Sequence, residues 1–152
     1  MLLQLMNDPT FIRFIGDKNI KTQSSARVYI ERYMIPHQLK HGFSTFTIQT
    51  KENLDPIGTC GLYKRASRLG VDVGFGLLSR FQGSGFGEEA VSRLVQAGFK
   101  HFNLRRIESI TSPKNIPAQR LLKKLKFKFE GLTPLEGFEE LQFLYTKKQN
   151  VW

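Results

Sequence analysis

Gly74-Phe75-Gly76-Leu77-Leu78-Ser79-Arg80-Phe81-Gln82-Gly83-Ser84-Gly85-Phe86-Gly87-Glu88-Glu89-Ala90 is the stretch that decides how this chain folds. An apolar run ends at Leu78, a glycine-rich turn follows, and a helical pattern starts near Gly85. Strand, glycine turn and helix start together make an anion site. The first turn of a helix carries backbone N–H groups with no partner inside the helix. The helix dipole adds partial positive charge, and glycines let a ligand approach the backbone. The dipole gives one charge only about 0.3–1 kcal/mol. Several N–H bonds to a charged group, at about 1.5–3 kcal/mol each, outweigh it. The natural guest is a phosphate or pyrophosphate.

Two common phosphate loops do not match. The stretch has no Gly-Lys-Ser/Thr ending and no Gly-x-Gly-x-x-Gly spacing. What stands is Gln82-x-x-Gly85-x-Gly87, overlapped by Arg80-x-x-Gly83-x-Gly85.

The chain has 152 residues, which predicts one domain over 1–152. A chain of this length buries roughly 68–70% of its unfolded surface, and thirteen Phe supply core material. The net charge of +10 asks for an anionic partner: a phosphorylated cofactor, nucleic acid or an acidic surface. A lone Cys60 excludes an internal disulfide framework and fits a reducing compartment. No apolar run approaches the ~18 residues of a membrane span, so a cytoplasmic protein is expected.

Outward from the glycine stretch, the pattern predicts helices, three strands, a helix, a strand, a helix and two strands. Residues 2–6 form a short helix ended by Asn7-Asp8-Pro9, because a residue before proline avoids helical geometry. Phe11, Ile12, Phe14 and Ile15 point inward from a loop or second helical turn. Thr22, Ser24 and Ser25 are caps for a helix running to about His41, and Pro36 should break or kink it. Gly42 is its stop. Strands are expected over 43–50, 57–64 and 71–78, a helix over 85–102, a strand over 106–111 and a helix over 115–126. Residues 127–131 and 138–146 read as closing strands.

The spacing Gln82-x-x-Gly85-x-Gly87 after a strand resembles the acetyl-coenzyme A loop of the GNAT superfamily of N-acetyltransferases. Asn115-Ile116-Pro117-Ala118, followed by a helix and Lys124-Leu125-Lys126-Phe127, resembles that family's Asn-x-x-Ser/Ala segment with its Lys-Leu-Gly-Phe end. Asp72-Val73-Gly74-Phe75 resembles the start of the cofactor strand, and Asn7-Asp8-Pro9 the acidic-Pro signature after the first helix. The branch sharing these features is the ribosomal-protein N-terminal (alanine/serine) acetyltransferase type. The resemblance implies an α+β fold with a mixed, mostly antiparallel sheet flanked by helices. Family members usually begin with a strand before the first helix; residues 1–3 here already read as helix, so either that strand is missing or the chain starts late. Lys126 stands where the family has Gly, and Leu122 where some members carry a Tyr that protonates the leaving thiolate.

The resemblance also implies roles. Gln82, Gly83, Ser84, Gly85, Phe86 and Gly87 would wrap a pyrophosphate through their backbone. Leu77 and Leu78 would bond the pantetheine arm as an added strand. Asn115 would contact the cofactor near its thiol, although a helix cap explains it equally. Arg80, Lys123 and Lys124 are candidates for the cofactor phosphates, or a solvated face. Asp72 is the candidate general base, acting through a water. The histidines His37, His41 and His101 read as surface or cap residues, no metal is expected, and Cys60 reads as a buried strand residue.

Attack on a thioester needs a neutral amine. Neutralising a lysine amine at pH 7 costs about 4.6 kcal/mol, and an α-amine about 1.1 kcal/mol. The sequence shows no strong base, which favours an α-amine, or another amine of low pKa, as acceptor. The expectation is therefore acetyl transfer from acetyl-CoA to a primary amine, a protein N-terminus or a small molecule, by a monomer or homodimer. Two other classes compete: a CoA-binding module without catalysis, and a basic nucleic-acid-binding protein built on Lys100 to Lys128.

Overall fold

The computed structural model describes residues 1–150. Helix α1 (Leu2–Met6) leads into α2 (Pro9–Phe14). Asp8 Oδ1 accepts from Thr10 N at 3.0 Å, and Pro9 takes the first helical position, where no N–H is required. Helix α3 (Gln23–Tyr29) opens on a capping box: Thr22 Oγ1 accepts from Ser25 N and Ser25 Oγ accepts from Thr22 N, each at 3.1 Å. A π-helical turn, Ile30–Met34, joins it to α4 (Ile35–His41). The break expected at Pro36 takes this milder form. The π turn restarts the hydrogen-bond ladder, so Pro36 falls in the first turn of α4. Gly42 ends α4 in a left-handed conformation, φ 80°.

The strands are β1 (Thr45–Gln49), β2 (Pro56–Lys64), β3 (Val71–Leu77), β4 (Arg106–Thr111), β5 (Lys128–Thr133) and β6 (Gln142–Lys148). They form one sheet in the order β1-β2-β3-β4-β6-β5. Every pair is antiparallel except β3 with β4. That parallel pair needs a crossover, which α5 (Phe86–Lys100) supplies. Helix α6 (Ile116–Lys124) follows β4. The last strand starts later than expected because Phe138 closes a turn, its N–H donating to Leu135 O at 3.1 Å. It then inserts between β4 and β5.

Alternation along β3 divides the molecule. Val73 faces α5 and shares the main core with Cys60, Leu62, Val91, Val95, Ile107, Leu122 and Tyr145. Gly98 lets α5 sit close to this face: a Cβ there would stand 2.7 Å from Ile107 Cδ1. Gly76 looks the other way, and its Cβ position lies 3.3 Å from Phe11 in α2. The layer of α1 to α4 covers that face over a smaller cluster, Met6, Ile20 and Ala26. No helix among the described residues is long and apolar enough to cross a membrane.

Candidate active site

The parallel joint is short. Strands β3 and β4 pair at Asp72↔Glu108 alone, and one step further Ser109 Oγ donates to Val73 O at 3.1 Å. Beyond it lies a cleft of about 430 Å³, bordered by 73–76 on β3 and 109–112 on β4. Leu78 N donates to Ile57 O at 2.9 Å, so Leu78 faces β2. Alternation therefore turns the N–H groups of Phe75 and Leu77 toward β4 and into the opening. Leu78 O is also taken, by Phe81 N at 2.9 Å. The backbone groups open to an added strand thus belong to Phe75 and Leu77, and Leu78 is turned away. Phe75 was missed because an apolar strand residue carries no side-chain signal of a backbone role.

The glycine loop leaves the end of β3 through a 3₁₀ turn, Ser79–Phe81. Gln82 turns its side chain inward, Nε2 donating to Leu77 O at 3.0 Å. Gly83 and Gly85 are left-handed, with φ 77° and 87°, and no atom lies within 4 Å of either Cβ position. The loop is thus strained for any other residue and open on its outer side. Gly85 caps α5, and Gly87 is buried, its Cβ position 3.3 Å from Leu121 Cδ1. Ser84 is exposed, and Phe86 meets Phe81 edge-on with centroids 6.2 Å apart. Asp8 steadies the loop's base, accepting from Ser79 N at 2.9 Å and from Ser79 Oγ at 2.6 Å. Among the candidate phosphate contacts, Lys124 is paired with Glu88 at 2.7 Å and Arg80 lies over the Phe81 ring.

Asn115 lines the same cleft and caps α6, its Oδ1 accepting from Ala118 N at 3.2 Å. Its Nδ2 makes no hydrogen bond among the described residues, so the cap and a cleft contact coexist. Lys126 keeps the left-handed turn where the family has Gly, at φ 65°.

The other end of the cleft runs under the helical layer past Phe14, Lys18, Tyr29, Tyr33, Tyr63 and Arg65. Asp72, only 3% exposed, gives both oxygens to Arg65: Nε to Oδ1 at 2.8 Å and Nη2 to Oδ2 at 3.1 Å. A proton accepted there would forfeit that bidentate pair. Tyr63 donates to or accepts from Thr45 Oγ1 at 3.1 Å, and burial pushes its hydroxyl up to about 12. His37 accepts from Lys64 N at Nε2, 3.0 Å, so its proton sits on Nδ1 and faces Phe43 O at 2.9 Å. It ties α4 to the sheet rather than serving as a surface residue. Cys60 is buried and its thiol is pushed up to about 12 by desolvation. No group of three His, Cys, Asp or Glu able to hold a metal occurs among the described residues.

A glycine loop after β3, strand amides turned toward the β3–β4 opening and a roofed cleft beyond it are compatible with a thioester carrier and a second substrate. The model of the acetyltransferase (GNAT) domain matches residues 1–128. The chain belongs to the GNAT acetyltransferase family. An uncharacterized N-acetyltransferase, p20, of Bacillus licheniformis is 35% identical over 134 residues, 87% of this chain and 74% of the relative. The acetyltransferase of Agrobacterium tumefaciens str. C58 has the same fold, with TM-score 0.80 at 20% identity, over 97% of this chain and 83% of that one. RimL, a ribosomal L7/L12 alpha-N-protein acetyltransferase solved in complex with coenzyme A, aligns with TM-score 0.80 at 16% identity, over 96% and 84%. This GNAT enzyme is an acetyltransferase, and its cosubstrate is acetyl-CoA.

Proposed function

We propose that this enzyme acetylates an α-amine, most fittingly a protein N-terminus of the ribosomal-protein type. One observation carries the reading: among the described residues, no carboxylate or imidazole lining the cleft stands free as a base. Asp72 holds Arg65, His37 has both ring nitrogens engaged, and Tyr63 keeps its proton to about 12. An acceptor must therefore reach its neutral form largely unaided. At pH 7 that costs an α-amine about 3.5 kcal/mol less than a lysine side chain. The fold shared with RimL agrees with this acceptor.

Acetyl-CoA brings an activated acetyl thioester. Gln82 to Gly87 would hold its diphosphate, and Phe75 and Leu77 would hold its arm through backbone N–H groups. Asn115 Nδ2, without a hydrogen bond among the described residues, would contact it near its thiol end. An N–H of β3 not taken by the arm would be the donor for the carbonyl oxygen as negative charge builds on it. Asp72 fixes Arg65, and the excess of cations at this end of the cleft, Lys18, Lys64 and Arg65 against Asp72, favours a neutral amine.

The test is a peptide carrying both a free α-amine and an internal lysine, incubated with enzyme and acetyl-CoA and mapped by mass spectrometry. Acetylation at the N-terminus is expected. Modification of the lysine at an equal or greater rate contradicts the proposal.

A further inference from the structure

We propose that the acceptor carries an anion next to its amine, a carboxylate or phosphate, which docks between Lys18 and Arg65. The inference rests on the reading of this cleft as the acetyl-acceptor site and specifies what enters it.

Three cations, Lys18, Lys64 and Arg65, line the acceptor end against a single carboxylate, Asp72. Lys64 is committed to the loop carbonyls of Arg68 and Leu69, at 2.5 and 2.7 Å. Arg65 gives Nε and Nη2 to Asp72 and keeps Nη1, with 40% of its side chain exposed. Lys18 makes no hydrogen bond or ion pair among the described residues. The nearest carboxylate in sequence, Asp17, is taken by Lys21 at 3.2 Å. Lys18 stands in the loop between α2 and α3, at the mouth of the cleft and still reached by solvent. Crowding and the charge of Arg65 hold its ammonium below lysine's ordinary range. Arg65 has its counter-ion in Asp72, but three cations against that one carboxylate leave this end of the cleft positive, and Lys18 has no counter-ion among the described residues, which favours an anionic guest. A plain ammonium would meet the same sign on arrival. An acceptor that brings its own anion offsets it.

The anion has two sources: an acidic side chain beside a protein N-terminus, or the carboxylate or phosphate of a small amine. The experiment measures kcat/KM for peptides beginning Ala-Asp, Ala-Glu, Ala-Gln and Ala-Lys, and for small carboxylated or phosphorylated amines beside their neutral amides and esters. Wild type, Lys18→Met and Lys18→Arg are compared. Anionic acceptors are expected to lead by about tenfold, mainly through KM, in line with one charge-assisted hydrogen bond. Lys18→Met should remove most of that preference and Lys18→Arg keep it, and added salt should shrink it. Lys18 has no polar partner, so the Met variant should retain the wild-type Tm.

Equal use of acidic and neutral acceptors, or a preference untouched by Lys18→Met, overturns the inference. Peptides accepted without regard to charge would do so while leaving the α-amine reading standing. Anionic small amines accepted while every peptide is refused would support the inference and overturn the protein acceptor.

Discussion

Ser109 Oγ donates to Val73 O at 3.1 Å, one step past the Asp72↔Glu108 bridge where the β3–β4 ladder ends. A side chain thus closes the joint that a backbone bond would otherwise continue. Ser109 is 3% exposed, so its loss leaves a carbonyl short of a donor. Ser109→Ala should cost about 1–3 kcal/mol. For a chain of this size that lowers Tm by roughly 2–4 °C per kcal/mol. Acetyl-CoA affinity should fall with it, because the joint sets the width of the opening. Calorimetric unfolding and cofactor titration check both; an unchanged Tm and Kd would show that the bond is incidental.

Gly85 has φ 87° and open space over its Cβ position. Gly85→Leu pays left-handed strain of about 1–2 kcal/mol and places a side chain where the diphosphate must lie. The protein should stay folded, with a modest fall in Tm, and lose the stabilisation that saturating acetyl-CoA gives the wild type. Retention of the wild-type Kd would remove the loop from the binding site.

Gly70 stands against a pinned carboxylate. A Cβ there would lie 2.7 Å from the carboxyl carbon of Glu108. Glu108 cannot step aside freely, because Arg68 Nη2 holds it at 2.9 Å and Arg106 Nη2 approaches at 3.4 Å. Gly70→Ala should destabilise by about 1–3 kcal/mol through overpacking. Denaturant unfolding reads the change, and a neutral result would mean that the loop over 65–70 yields more than its ion pairs suggest.

Asp8 links α2 to the base of the glycine loop. Partial burial pulls its carboxyl upward, but the Ser79 hydroxyl, the Ser79 amide and the Thr10 amide outweigh this and hold it below the usual range. A carboxyl lowered in the folded state stabilises fully above its unfolded pKa of about 3.9 and loses that contribution as pH falls through the folded value. The Tm gap between wild type and Asp8→Asn should therefore be open at pH 7 and close in acid. A gap independent of pH would deny Asp8 this role.

Most elements of this fold are legible in the sequence because local physics fixes them. Alternating side chains mark β1 and β3, Asn115 and Pro117 mark the start of α6, and the left-handed glycines mark the phosphate loop. What escapes is long-range. Nothing local tells that β6 enters between β4 and β5, that Arg65 reaches Asp72, or that His37 bridges Phe43 and Lys64. The π turn escapes for a related reason: Pro36 signals a helix problem, but only the packed layer decides how it is resolved. Of the site, the loop residues are visible as glycines, whereas the backbone role proposed for Phe75 would rest on an amide its side chain does not advertise. Lys126, at φ 65°, keeps a turn that its own side chain disfavours.

The central claim is that no carboxylate or imidazole of the cleft takes the acceptor's proton and that the acceptor's own amine governs reactivity. The pH dependence of kcat/KM tests it most directly, using two acceptor peptides of identical sequence whose α-amines differ in pKa, for instance one α-amine lowered by fluorination of the first residue. The account predicts that the rising limb moves with the acceptor, shifting down by the same amount as the amine. A limb fixed at one pH for both peptides would assign the titration to the enzyme and contradict it.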